Sequence, residues 1–301
     1  MPSTPRQPTA DAVRRVLEAM LPDAGAPQVR PVTEGGEHST WWVGKAHVLR
    51  LATDGAMSAR LRREVRLRDL VRPHVPVAVP ASVATGEWAP GLACTLDKRL
   101  PGESAEVRDV TAAGEEDLGG LLAGLRAVPV ARTVPIGVPK VPPRSLESLR
   151  REAGAAALKL DADGEFEAER LDQLAARAVA QLVPQPDPVL VHHDLKGEHL
   201  TVSADGRVRG VLDWADAVVG DAAEDIAGLT IAVGARAAVR SATLAGYGPR
   251  SCLRGLWLAR CDVLVRLGDR LYGADDSPEG LLRVQLERAW EAILLELVSE
   301  G

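Results

Sequence analysis

Only three cysteines occur in the 301 residues, Cys94, Cys252 and Cys261, far apart and without Cys-x-x-Cys spacing. That scarcity excludes a disulfide framework and a structural zinc site, and it fits a reducing compartment, the cytoplasm. Long hydrophobic runs are missing too. The longest, such as 228–234, fall well short of the ~20 apolar residues that span a membrane. The opening "MPSTPRQPTADAVRR" lacks the charged-then-apolar order of a secretory signal. Lysine is rare, five against thirty-one arginines, which reads as compositional bias. Excess positive charge is absent: the net charge is −6, which argues against a nucleic-acid partner. No repeat of fixed period and no low-complexity tail is present.

What is there suits a globular chain with a real core. Hydrophobic residues make up 46% and charged residues 26%, in a length that allows two modest domains or one large one. The negative charge is concentrated: residues 211–301 hold fourteen Asp and Glu against nine Arg and no Lys. A solvated helical surface accounts for this, and so does a pocket wall that attracts a cationic small molecule.

Residues 10–21 place Val13, Val16, Leu17, Met20 and Leu21 on one helical face, with Thr9 as N-cap and Pro22 as stop. Residues 29–52 read as three short strands with turns at Gly35-Gly36 and Gly44-Lys45. A helix over "MSARLRREVRLRDLV" and strands over "VAVPASVATGE" and "LACTLDKRL" follow. Beyond residue 104 the pattern turns helical, at 114–127, 146–158, 166–182, 223–233 and from 253 onward. Trp41 and Trp42 alternate on a strand and are expected to pack there. One β island, 189–214, interrupts the helices. It contains an apolar strand, the polar loop "HHDLKGEH" and a hairpin turned at Asp205-Gly206. The hairpin returns Asp213 to the side of the loop that holds Asp194. Two carboxylates at strand ends facing one cleft can hold a divalent cation and a hydroxyl nucleophile.

His192-His193-Asp194-Leu195 followed by His199 matches the kinase catalytic-loop pattern His-x-Asp-Leu-x-x-x-Asn, with His at the last position. "GVLDWADAVVGDAAEDIAGL" follows at close spacing, with Asp213-Trp214, Gly220-Asp221 and Asp225-Ile226-Ala227. The two linked motifs resemble the aminoglycoside phosphotransferase and choline kinase-like superfamily, over roughly residues 29–229. That resemblance implies an α+β, bilobal protein-kinase-like fold. A small β-rich nucleotide-binding lobe would cover 1–96, and a larger, mostly helical catalytic and acceptor-binding lobe 97–301.

It also implies roles. Asp194 orients the acceptor hydroxyl and takes its proton, and His192 braces the loop. Asp213 and His199 bind Mg²⁺. Arg50, in "VLRLA", holds the α- and β-phosphates of ATP or GTP and pairs with Glu64. Gly35 and Gly36 form the turn over the phosphates, and backbone from Cys94 through Leu96 to Lys98 meets the purine. The partner is a small hydroxylated, cationic substrate, with no nucleic acid and no membrane, and the chain is a monomer or homodimer. Asp262 and Asp269 are candidates for the acceptor pocket.

Three departures matter. His199 stands where Asn is usual, a trait shared with macrolide phosphotransferases. Arg50 replaces Lys, keeping the charge but not its point-like geometry. The glycine turn is minimal, and no protein-kinase activation segment follows Asp213, which favours a small acceptor. The competing readings are a macrolide or other metabolite kinase and a non-catalytic nucleotide-binding pseudokinase. A hydrolase built on a metal cluster of His192, His193 and His199 is the third. Glu64 also reads as an ordinary surface carboxylate, His193 as loop filler and Glu198 as a solvated loop residue. Asp221 and Asp225 read as structural braces of helix start and loop.

Overall fold

A computed structural model describes residues 8–22, 27–32, 39–174, 176–273 and 275–293. Thr9 caps the first helix, α1 (Ala10–Met20), accepting the N–H of Ala12 at 3.3 Å. Its buried Val13 and Leu17 lie on a five-stranded antiparallel sheet of β1 (Val29–Pro31), β2 (Ser39–Val43), β3 (His47–Leu51), β4 (Ser82–Ala89) and β5 (Leu92–Lys98). The strand order is β1-β2-β3-β5-β4. One sheet face buries Trp41, Val43, Leu49, Leu51, Cys94 and Leu96 against α1, each large side chain contributing about 1.5–3 kcal/mol. Helix α2 (Gly55–Val71) packs along β5, its N-terminus capped by the Asp54 carboxylate on Met57 N–H at 2.8 Å. Gly44 turns β2 into β3 with φ +57°, while Gly35 and Gly36 lie outside the described residues.

The expected strand at 77–87 begins only at Ser82. Upstream, Ala78 bridges Gly210 in parallel, donating to Arg209 O at 2.9 Å, and Pro80 has no N–H to offer a ladder. β5 runs on to Lys98, past the lobe boundary expected at 96/97. β6 (Glu103–Ser104), α3 (Ala112–Ala127) and α4 (Leu146–Ala162) lead into the helical lobe. The continuous helix expected at 166–182 is instead a 3₁₀ segment, Ala168–Gln173, and the short α5 (Ala176–Gln181). Next come β7 (Val189–Val191), the hairpin β8 (Leu200–Val202) and β9 (Val208–Val211), and β10 (Val218–Gly220). β7 pairs with β10, and β6 joins the hairpin. Gly206 turns the hairpin with φ +76°. Then come α6 (Ala223–Val233), α7 (Ala235–Leu244), α8 (Pro249–Tyr272) and α9 (Glu279–Ala289).

A bilobal α+β fold results, and the two lobes share apolar packing. Leu67, Leu70, Val71 and Val77 from the first join one buried cluster with Leu118, Leu121, Leu195, Val211 and Trp214 from the second. No helix among the described residues is long and apolar enough to cross a membrane.

Candidate active site

The strand β7 is short and apolar, and its end delivers the polar loop 192–199 into the cleft. One side chain clamps the turn. The Asp225 carboxylate accepts the N–H of His192 and that of His193, both at 2.8 Å, from the first turn of α6. His193 has φ +69°, a left-handed conformation that costs a residue with a Cβ about 1 kcal/mol or more. Burial pushes the Asp225 carboxyl up to about 7 in spite of the two donors. Asp221 is equally structural: it takes Ala223 N–H at 3.1 Å and the buried Arg254 at 2.6 Å.

His192 is fully buried, edge-on against Trp214 with 4.7 Å between centroids. Its Nε2 lies 2.9 Å from the carbonyl of Leu212, and its Nδ1 accepts Asp194 N–H at 3.3 Å. A neutral ring satisfies both contacts. Burial, aided by nearby His199, holds its pKa down at about 4.

The neutral brace leaves Asp194 facing the cleft, one-fifth exposed, with the Lys196 ammonium 3.2 Å from one carboxylate oxygen. The hairpin then performs the return expected of it: Leu212 N–H bonds to His199 O at 2.8 Å, and Asp213 emerges beyond it with φ +53°. His199 joins the two carboxylates. Its Nδ1 lies 2.8 Å from the Asp194 carbonyl oxygen, and its Nε2 lies 3.8 Å from both Asp213 Oδ2 and Glu198 Oε1. Burial alone would push the Asp213 carboxyl up, but Arg50, His199 and the Ala215 N–H outweigh it and hold it below the ordinary range.

Arg50 enters from the sheet above. Its guanidinium donates to Glu64 at 2.7 Å, and Glu64 is wholly buried, not a surface residue. Burial opposes the Arg50 charge, and Glu64 more than restores it. The helix that carries Glu64 is tied to the Asp213 segment by Arg60 on Asp216 at 2.5 Å and Arg63 on Ala215 O at 2.9 Å.

Arg50, Glu64, His192, Asp194, His199 and Asp213 therefore converge. Cys94 and Leu96 do not. Both sit within β5, paired on each side, Cys94 with Leu51 and Gly86, and Leu96 with Leu49 and Ala84. Their backbone groups serve the ladder and their side chains the α1 core, so neither can present itself to a purine. Asp262, expected at an acceptor pocket, is held by Arg144 at 2.8 Å, and the same guanidinium binds Glu224. Lys196 was missed by sequence reasoning. Its signal was available: a rare lysine two residues after Asp194.

Among the described residues no three His, Cys, Asp or Glu cluster as an all-protein metal cage. Mg²⁺ does not need one, because it takes one or two protein ligands and fills its shell with phosphate and water oxygens. The Asp213 carboxylate, kept ionised, fits that requirement, and the His199 imidazole 3.8 Å away is a nitrogen donor that suits Mg²⁺ less well than an oxygen would.

A model of the phosphotransferase enzyme family matches residues 28–258. Viomycin phosphotransferase of Streptomyces vinaceus is 30% identical over 190 residues, which span 60% of this chain and 64% of that protein. The fold resembles that of aminoglycoside 2'-phosphotransferase-IIIa in its GDP complex, with a TM-score of 0.67 at 19% identity over 94% of this chain and 98% of that one. It also resembles a macrolide 2'-phosphotransferase from Brachybacterium faecium, with a TM-score of 0.61 at 20% identity over 94% and 98%.

Proposed function

The chain belongs to the phosphotransferase enzyme family, and from that premise we propose that it moves the γ-phosphate of ATP or GTP to a hydroxyl of a small cationic antibiotic. One observation carries the reading. The Asp194 and Asp213 carboxylates flank a single imidazole in the cleft, with the Arg50–Glu64 pair entering from the opposite lobe.

Phosphoryl transfer asks for positioning and charge neutralisation more than for covalent chemistry. Asp194 orients the acceptor hydroxyl and accepts its proton, a task worth about 10²–10⁴ in rate. His192, neutral and bonded at both nitrogens, fixes the loop. Arg50 neutralises phosphate charge with Glu64 setting its direction. Asp213 and the His199 Nε2 would hold Mg²⁺, which when bound supplies charge neutralisation at the phosphates. The purine is met by chain beyond Lys98, where β5 ends.

The acidic balance of 211–301 favours a cationic acceptor, and viomycin phosphotransferase is the relative that points the same way. His199 favours a macrolide acceptor instead. Retention of both Asp194 and Asp213 speaks against a pure nucleotide binder, which has no need of a proton acceptor.

The test is phosphate transfer from ATP and from GTP, with Mg²⁺, to viomycin, an aminoglycoside panel and a macrolide panel. Turnover on viomycin or an aminoglycoside supports the reading, and turnover on macrolides alone selects the alternative. Nucleotide binding with no transfer to any acceptor overturns it.

A further inference from the structure

A second buried charge stands directly behind Glu64. Arg68 follows one turn later on α2, 1% exposed, with Nη1 3.8 Å from Glu64 Oε1. That is the same oxygen that receives Arg50 at 2.7 Å. Glu64 Oε2 is buried without a hydrogen-bond partner, so this carboxylate has capacity for a second cation. A Glu and an Arg four residues apart on a helix meet readily, and more strongly in a dry interior than in water. Here the pair stays long, an ion contact at 3.8 Å, because Arg68 is engaged elsewhere. Its guanidinium binds Asp97 at 3.0 and 3.3 Å and Ser82 Oγ at 3.0 Å. Ser82 in turn donates to Asp97 at 2.6 Å, and Thr95 donates to it at 3.3 Å. Burial would push the Asp97 carboxyl up, but Arg68, Ser82 and Arg50 outweigh it and hold it below the ordinary range.

We propose that Asp97 is a positioning residue for nucleotide binding: it draws Arg68 away from Glu64, leaving Glu64 free to aim Arg50 at the phosphates. The idea rests on the phosphate-binding role of Arg50 given above. It makes a prediction that a merely structural ion pair does not. With Asp97 neutral, Arg68 turns to Glu64 and competes with Arg50. Removing Arg68 as well ends the competition.

The experiment compares the full-length wild type, Asp97→Asn and the double variant Arg68→Met/Asp97→Asn. Calorimetric titration with Mg²⁺–ATP, Mg²⁺–GTP and adenosine gives the readout. Asp97→Asn is expected to lose about tenfold in nucleoside triphosphate affinity, the worth of one charge-assisted contact, with adenosine affinity unchanged. The double variant should return to within about threefold of wild type, since its Glu64–Arg50 pair is intact. If Asp97→Asn does not fold, Ser82→Ala loosens the same clamp without leaving a charge unpaired. Its triphosphate affinity should fall while its adenosine affinity stays unchanged. Equal losses in single and double variants, or no loss in either single variant, overturn the inference while the functional reading stands. A wild type that binds neither triphosphate overturns both.

Discussion

Gly255 lies where α8 crosses α6, and a methyl group does not fit there. A Cβ at that position would stand 2.6 Å from both Cβ and Cγ2 of Ile226 and 2.9 Å from the Ala223 carbonyl oxygen. Carbon atoms rest about 3.5–4.0 Å apart, so Gly255→Ala requires the helices to part by about 1 Å. Overpacking of this kind costs about 1–3 kcal/mol, and the better helix propensity of Ala returns up to about 1 kcal/mol. The obstacle includes backbone, which cannot rotate aside, so the net loss should be about 2 kcal/mol. The displacement also reaches the chemistry. Ile226 follows Asp225, whose carboxylate holds two loop N–H groups at 2.8 Å. Misplacing Asp194 through that clamp should cost on the order of 10–100-fold in turnover. Gly154→Ala is the control. Its Cβ meets only Leu171 Cδ2, at an ordinary 3.8 Å, so it should stabilise by about 0.5–1 kcal/mol and leave turnover unchanged. Urea unfolding with the slope recorded, and initial rates, measure both. If Gly255→Ala were as stable and active as wild type, the claim that α6–α8 packing sets the catalytic loop would be wrong.

Four further outcomes follow from the structure. His193→Gly should be tolerated and should stabilise by about 0.5–1 kcal/mol in urea unfolding, because glycine removes the strain of φ +69° at some cost in entropy. His192 has a folded pKa of about 4 against an unfolded value of about 6.5. Between those values only the unfolded chain binds the proton, so stability falls as pH is lowered through the window. Wild type should lose about 2–3 kcal/mol more than His192→Gln between pH 7 and pH 4.5, read from urea midpoints at each pH. Asp221→Ala should destabilise by about 3 kcal/mol, because Arg254 is left buried and without its carboxylate. Arg62→Ala, which removes a half-exposed pair with Glu87, should stay within about 0.5 kcal/mol by the same melt.

The convergence of Asp194, His199 and Asp213 is legible because these residues are close in sequence. Asp194, His199 and Asp213 lie on one loop and one hairpin, and a favoured Asp-Gly turn dictates their return. Helix α1 was equally readable from its apolar spacing and its Thr9 cap. What was hidden depends on distant partners. Nothing local marks Glu64 as buried, since its charged neighbours suit a surface helix, and only Arg50 across the sheet explains its place. The expected strand 92–100 takes in Cys94 and Leu96, but an apolar run does not show which of its residues have a partner strand on each flank, as these two do. Ala78 leaves the strand pattern for a bridge to Gly210, in the other lobe. The two- and three-residue strands β6 and β10 exist only through pairing with β8 and β7. The Arg68–Asp97 pair spans 29 positions and has no periodic signature.

In the proposed reaction Asp194 is the proton acceptor of a phosphoryl transfer. The most direct measurement is transfer of labelled γ-phosphate by Asp194→Asn beside wild type, with nucleotide affinity measured on the same samples. The account predicts that the variant keeps triphosphate affinity within about threefold and loses turnover by about 10²–10⁴. Undiminished transfer by Asp194→Asn would contradict it.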